Sequence, residues 1–242
     1  MTIKRTIGER SPLFQKLLFS YRKRFQPAVI RMEHGIRLAV PNSLPEEMRK
    51  SLYKEQHELP ELELILACLE PGDKVLEIGS GVGMIATTCA SICGAENVTC
   101  YEPNPSTRDV IQRNFDLNGL EVDLRSRALA TQKGTIDFYF SDNIVSSSLI
   151  DQDFGGKTEV ACDDIRDVIE ELQPTAIVMD VEGAEIDLLP TATLSGVSKI
   201  LVEMHPGIVG PEKVEELHAC LERQGLHYRR DLCRSKVAYF ER

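Results

Sequence analysis

Residues 74–83, Lys-Val-Leu-Glu-Ile-Gly-Ser-Gly-Val-Gly, leave the chain around them few ways to fold. Residues 74–78 read as a short strand buried on both faces, apolar at its end except for Glu77. A glycine-rich turn follows at Gly79, Ser80, Gly81 and Gly83, and 82–92 continues with small and apolar residues that suit a helix. Strand, tight turn and helix N-terminus together press bare backbone N–H groups against a ligand. Gly79 and Gly81 permit a left-handed backbone and put no Cβ in the ligand's path. A second buried strand, 98–102, ends in Glu102, where a carboxylate can accept both ribose hydroxyls of a nucleoside.

The charges decide between nucleosides. A dinucleotide fingerprint has its third glycine where this chain has Met84, so the spacing here is GxGxG. Glu77 would repel a pyrophosphate but suits a cationic amino acid. S-adenosylmethionine carries a ribose, an α-ammonium and a sulfonium and no phosphate, which matches these acids. Two rivals stay open. An NAD-linked oxidoreductase would use the same strand, turn and Glu102. A catalytically silent nucleoside-binding module would keep the glycine loop yet need neither Asp180 nor His205.

A second acidic strand end lies at 176–185, Ala-Ile-Val-Met-Asp-Val-Glu-Gly-Ala-Glu. A buried strand delivers Asp180 and then Glu182 to its carboxyl end, before a helix starting near Gly183. In an open parallel sheet that edge faces the ligand crevice. Either acid could serve only the N-terminus of the helix, a contribution of about 0.3–1 kcal/mol each, but two at one strand end exceed that need. The strand at 198–204 ends in Glu203, Met204 and His205, so His205 is expected at the same edge. An imidazole there can accept a proton near its ordinary value of about 6.5.

With 242 residues, the chain is one large domain or a domain plus an extension. No apolar run is long enough to span a membrane, and no signal-peptide segment opens the sequence. Seven cysteines without CxxC pairs read as reduced core thiols, which suggests a cytoplasmic protein. Cys89 and Cys93 lie one helical turn apart, as packing would place them. No metal-ligand set is legible, and His34 and His57 are expected at the surface.

Charge is uneven. Residues 1–40 carry nine Lys/Arg and two Asp/Glu, a net +7, while the whole chain is −10, so the rest is −17. An acidic body of that kind argues against a nucleic-acid partner. Ser11 and Pro12 predict a helix start, and Leu13, Phe14, Leu17, Leu18, Tyr21 and Phe25 then form an apolar stripe apart from Lys16, Arg22, Lys23 and Arg24. Such a helix docks on the acidic body or a second subunit, making a homodimer, or contacts an anionic surface.

Organisation follows from the remaining punctuation. Residues 1–60 form an extension of basic helix, hairpin (29–40) and helix (45–69, broken near Pro60), and 61–242 form the main domain. A helix over 105–118 and a third strand over 122–129 come next. Residues 134–162 are a β-rich insertion with strands at 135–140 and 157–162 and loops at 146–148 and 155–156. Asp163 should cap a helix through 172. A helix over 211–224 and a hairpin of 226–232 with 236–240 close the chain.

The ordered motifs LEIGSGVG, YEPNP, RALA followed by Gly134, MDVEGAE and EMH resemble those of FkbM-type methyltransferases over roughly 52–205. The resemblance implies an α/β fold: a Rossmann-like, seven-stranded, mostly parallel sheet with helices on both faces and a C-terminal antiparallel hairpin. It implies S-adenosylmethionine as methyl donor and a hydroxyl acceptor on a sugar, glycan or small natural product. In that frame Glu77 orients the methionine ammonium, and Gly79, Ser80, Gly81 and Gly83 cradle the methionine portion. Glu102 holds the ribose, while Pro103, Asn104 and Ala128 border the adenine. Asp180, Glu182 and His205 face the acceptor as candidate bases or orienting groups; an imidazole that titrates near neutral pH makes His205 the first candidate, with Asp180 next.

Overall fold

The computed structural model describes residues 3, 5–8, 10–140, 147–148 and 156–242. Its first helix, α1 (Pro12–Phe25), is capped by Ser11, whose hydroxyl accepts from Phe14 N. A hairpin of β1 (Val29–Arg31) and β2 (Arg37–Ala39) follows, then α2 (Glu46–Lys54) and α3 (Leu59–Cys68). Strands and helices then alternate: β3 (Val75–Ile78), α4 (Met84–Cys93), β4 (Val98–Tyr101), α5 (Arg108–Asn118) and β5 (Asp123–Arg125). The insertion supplies β6 (Ala128–Ala130), β7 (Gly134–Phe140), β8 (Ser147–Ser148) and β9 (Gly156–Asp164). Alternation resumes with α6 (Ile165–Leu172), β10 (Ala176–Met179), α7 (Glu185–Thr191) and β11 (Lys199–Glu203). Helices α8 (Pro206–Val209) and α9 (Pro211–Arg223) precede the closing strands β12 (His227–Tyr228) and β13 (Val237–Glu241).

The main sheet has the order β12-β13-β11-β10-β3-β4-β5. Strands β11, β10, β3, β4 and β5 are parallel, and β13 runs antiparallel between β11 and β12. This is the expected seven-stranded, mostly parallel sheet with a closing antiparallel hairpin. Every residue of β3, β4 and β10 is buried, which explains their continuous apolar runs. From β3 the chain moves outward to β4 and β5, then returns to the other side of β3 as β10 and β11. The topological switch point therefore lies between β3 and β10, where open α/β sheets hold their ligands.

Local chemistry shifts several expected boundaries. The single strand read over 122–129 is two strands in two sheets. Arg127 N donates to Arg125 O (2.9 Å), and the turn hands Ala128 to β9, with Ala128 opposite Cys162. Apolar alternation cannot register such a change of partner. The second sheet has the order β6-β9-β7-β8. Asp164, and not Asp163, caps α6 by accepting from Arg166 N (2.9 Å). Helix α5 starts at Arg108 because Asn104 stitches the preceding turn, accepting from Ser106 N (3.0 Å). The break expected near Pro60 falls at 55–58, where Glu55 and Glu58 take left-handed φ values of 57° and 46°. Pro60 sits in the first turn of α3, where its missing N–H costs nothing. The expected loops at 146 and 155 lie outside the described residues.

The extension shares one hydrophobic core with the sheet, since Ile30, Ile36, Leu38 and Leu52 cluster with Ile65, Met84 and Val178. Asn114 ties the hairpin to the glycine loop, accepting from Ala39 N (2.7 Å) and donating to Val82 O (2.8 Å). His34, expected at the surface, is fully buried, 3.3 Å from Thr88 Oγ1. Burial pushes its pKa down to about 4, so it is neutral in the fold. Each of the seven cysteines is a free thiol, with Cys89, Cys93, Cys100 and Cys162 buried. Among the described residues no helix is long and apolar enough to cross a membrane.

Helix α1 docks with the opposite face from the one its sequence suggests. Leu13, Phe14, Leu17, Tyr21 and Phe25 are between 50% and 68% exposed, and the buried residue is Arg22. Its guanidinium donates to Tyr53 O (3.0 Å), Arg31 O (2.8 Å) and Glu55 Oε1 (2.8 Å). Glu55 also pairs with Arg10 and accepts from Glu33 N (2.7 Å). Replacing Arg22 by Ala takes the donor from the carbonyls of Tyr53 and Arg31 and leaves half-buried Glu55 with Arg10 as its remaining ion pair, and should destabilise the protein by about 1–3 kcal/mol. Chemical denaturation checks this; a change below about 1 kcal/mol would mean that α1 is held by other contacts.

Candidate functional site

The glycine loop leaves the carboxyl end of β3, and the backbone of β10 passes directly beside it. At Gly79, with φ 88°, an added Cβ would lie 1.8 Å from the carbonyl oxygen of Asp180. Only glycine allows this approach, which joins the two halves of the site. At Gly81, with φ 53°, a Cβ would point at Glu58 Oε1, 3.4 Å away across a cleft. Gly83 caps α4 and packs on Ile111, away from that cleft.

A cleft opens at the carboxyl ends of β3, β4 and β10, the edge where an open α/β sheet takes its ligands. Of the residues named from sequence, Gly79, Gly81, Glu102, Pro103, Asn104, Ala128, Asp180 and Glu182 line it. Ser80, Gly83, Glu77 and His205 stand behind this wall. Met48, Thr107 and Phe138 also line it, and nothing in their local sequence set them apart. His57, expected at the surface, lies half-buried on the wall beside Glu58, its Nε2 3.4 Å from Glu58 Oε1, and burial pushes its pKa down to about 4.

Carboxylates surround the glycine loop. Glu102, at the end of β4, accepts from Gly81 N and from Asn104 N, both at 2.8 Å, and so fixes the loops on each side of the cleft. Burial pushes its pKa up to about 7 against the pull of those backbone donors. Glu77 is 1% exposed; its Oε2 accepts from Ser80 Oγ (2.6 Å), and its Oε1 has no hydrogen-bond partner. Burial pushes it up to about 8. It borders a smaller pocket shared with Glu58, Gly79 and Asp180. Burial and the neighbouring Glu203 likewise push Glu58 up to about 8.

The acceptor-side acids gather around one imidazole. His205 is 6% exposed, and its Nε2 lies 3.4 Å from Glu182 Oε2, 3.6 Å from Asp180 Oδ1 and 3.9 Å from Glu203 Oε1. Glu185, fully buried in the first turn of α7, holds this arrangement from behind. It accepts from Gly183 N (2.8 Å) and His205 N (3.1 Å), and its Oε1 lies 3.4 Å from His205 Nδ1. Glu182 takes a left-handed φ of 52°, a strain that clusters at functional positions. Burial alone would lower the pKa of His205, but Glu185, Asp180 and Glu182 outweigh it and raise the value to about 9. In the metal-free fold the surrounding carboxylates thus favour the protonated ring, above the 6.5 expected of a free imidazole. Burial pushes both Asp180 and Glu182 upward, and theirs are the carboxyl oxygens of this group on the cleft wall.

Sequence reading missed Glu185 and Glu203 as parts of this group. Both lie at expected strand or helix ends, and only the pairing of β10 with β11 reveals that they converge. Asp180, Glu203 and His205 place one donor atom each within 4.8 Å of one another. The sequence had shown no such ligand set, because its members come from two strands 20 or more residues apart.

No protein-family profile matches the chain. It is 30% identical over 161 residues to the hexuronic acid methyltransferase AglP of Haloferax volcanii, covering 64% of this chain and 65% of that protein. It is 30% identical over 82 residues to the ribosomal protein L11 methyltransferase of Symbiobacterium thermophilum, covering 34% of this chain and 26% of that one. The chain thus spans 65% and 26% of the lengths of these curated relatives. Among solved structures it is similar to Aeropyrum pernix fibrillarin with natively bound S-adenosyl-L-methionine. The TM-score is 0.42 at 13% identity, covering 88% of this chain and 81% of that one.

The buried acids make stability depend on pH. Glu77 and Glu102 keep protons in the folded protein at pH values where the unfolded chain has released them. A folded pKa raised in this way stabilises at low pH, and the contribution is lost as pH rises through about 7 and about 8. The ligand-free protein should therefore melt higher at about pH 6.5 than at about pH 8.5, each kcal/mol shifting Tm by about 2–4 °C at this size. A melting temperature that is flat or rises over that window would show that these carboxylates are ionised in the fold.

Proposed function

We propose that the protein is an S-adenosylmethionine-dependent methyltransferase of the FkbM type, acting on a hydroxyl of a sugar or another small acceptor. The observation that carries this reading is the set of buried carboxyl groups around the glycine loop, held toward the neutral form in the ligand-free fold and ionised once a cationic ligand supplies the missing counter-charge. Glu77, Glu102 and Glu58 flank it, and Arg127 on the cleft wall is ion-paired with Asp163 (2.9 Å). A pyrophosphate at that loop would meet carboxylates, so a dinucleotide is disfavoured and a cationic cofactor favoured. The 30% identity to a hexuronic acid methyltransferase supports a sugar acceptor.

The residues present fit the cofactor. Glu77 Oε1 is a buried oxygen in need of a donor, and an α-ammonium supplies one. Glu102 still has lone pairs for ribose hydroxyls after accepting from two backbone N–H groups. Pro103, Asn104 and Ala128 form the wall beside it, where the adenine would rest. S-adenosylmethionine, when bound, supplies a methyl group already activated on a sulfonium. The chain's own task is then alignment, which contributes up to about 7–11 kcal/mol in well-oriented systems.

On the acceptor side, Asp180 and Glu182 face the cleft, and the ionised carboxylate of this pair takes the hydroxyl proton. His205 acts behind them as their counter-charge, and Glu185 fixes its orientation. The strand-end pair thus works as an acid–base set, with His205 in a positioning role.

Replacing Glu102 by Ala should weaken S-adenosylmethionine binding by about 1.5–3 kcal/mol, the range for hydrogen bonds to a charged group. Replacing Gly81 by Val should abolish binding, because the side chain enters the cleft toward Glu58. Calorimetry on both variants, with circular dichroism as the folding control, checks this. Native affinity in two folded variants would overturn the cofactor assignment.

A further inference from the structure

The geometry points to a divalent-cation site made by Asp180, Glu203 and His205, with Asp180 on the cleft wall and the other two behind it. The three donors come from rigid places. Asp180 and Glu203 stand at the carboxyl ends of adjacent parallel strands, at and just beyond the last registered pair, Met179 with Val202. His205 follows two residues later, with its backbone N–H held by Glu185. Their donor atoms all lie within 4.8 Å of one another. Ligands around a shared ion at about 2.1–2.4 Å sit about 3–5 Å apart, so only small side-chain adjustments are needed.

A cluster of acids is common without an ion, but two further features aim this one at a ligand. The His205 ring is buried, and its Nε2 is the point on which three carboxylates converge, at 3.4 Å (Glu182), 3.6 Å (Asp180) and 3.9 Å (Glu203). Asp180 Oδ1 is a buried oxygen with no hydrogen-bond partner. An ion at the centre of the group supplies Asp180 Oδ1 with a partner and offsets the converging carboxylates. Two carboxylates, one imidazole and no thiolate suit a hard cation of the Mg²⁺ or Mn²⁺ class, which replaces the imidazole proton as the counter-charge of the acids when it binds.

The role of the ion rests on the methyl-transfer reading. Asp180 and Glu182 form the cleft wall here, so the open coordination positions face the space left for the acceptor. A hydroxyl oxygen bound there loses its proton more readily. The O–H bond breaks, the electron pair stays on oxygen, and the proton passes to the Glu182 carboxylate, which lies 3.4 Å from the same Nε2.

Mn²⁺ alone is the probe, added to full-length protein freed of metal with a chelator and followed by electron paramagnetic resonance and calorimetry. The expected result is one saturable site whose spectrum carries coupling to an imidazole nitrogen. Asp180→Asn, Glu203→Gln and His205→Ala should each weaken binding by at least about tenfold. Glu222→Gln, at the exposed pair with His227 (2.9 Å), should leave it unchanged. No saturable binding by the wild type, no nitrogen coupling, or binding that survives all three ligand substitutions would overturn the site. S-adenosylmethionine affinity is measured in parallel with chelator present. Its loss in the wild type strikes the methyltransferase reading, whereas retained affinity without Mn²⁺ binding strikes the cation site alone.

Discussion

The site depends on one close approach of two backbones. Where β3 ends at Gly79, the carbonyl of Asp180 at the end of β10 occupies the volume that any side chain would need. The parallel pairing of Ile78 with Met179 leads the two strands into this contact. It brings the loop that would hold a nucleoside against the acids that would meet an acceptor. A donor and an acceptor bound on either side of that junction are neighbours by construction, and alignment of that kind is what methyl transfer from an activated donor demands.

The junction costs stability electrostatically. Glu58, Glu77, Glu102 and Asp180 are all pushed toward the neutral form by burial. A core built for stability alone would place apolar residues there. Glu102 offsets part of the cost by accepting two backbone N–H groups, and Glu77 part of it through Ser80. Asp180 and Glu182 share the charge of His205. Two of the oxygens left without a hydrogen-bond partner, Glu77 Oε1 and Asp180 Oδ1, lie where cationic ligands are inferred.

The sheet and the cofactor half of the cleft were legible because their signals are local. Buried strand, glycine turn and acid at the next strand end are each written in fewer than ten consecutive residues. The acceptor half was legible only in part. Asp180, Glu182 and His205 could be placed at an edge, but their grouping with Glu185 and Glu203, and the charge on His205, arise from packing between separate elements. The N-terminal helix misled for the same reason. Its apolar stripe is real, yet Arg22 finds Glu55 and two carbonyls beyond its own helix, and that network turns the stripe outward. His34 is buried against Thr88, 54 residues away, a partner no local pattern announces.

The central claim is that acids around the glycine loop select a cationic nucleoside over a phosphorylated one. Calorimetric titration of the wild-type protein with S-adenosylmethionine, S-adenosylhomocysteine and NAD⁺ under identical conditions tests it most directly. Saturable binding of the first two and none of NAD⁺ is the predicted result. Binding of NAD⁺ as tight as that of S-adenosylmethionine, or no binding of either sulfur nucleoside, would contradict it.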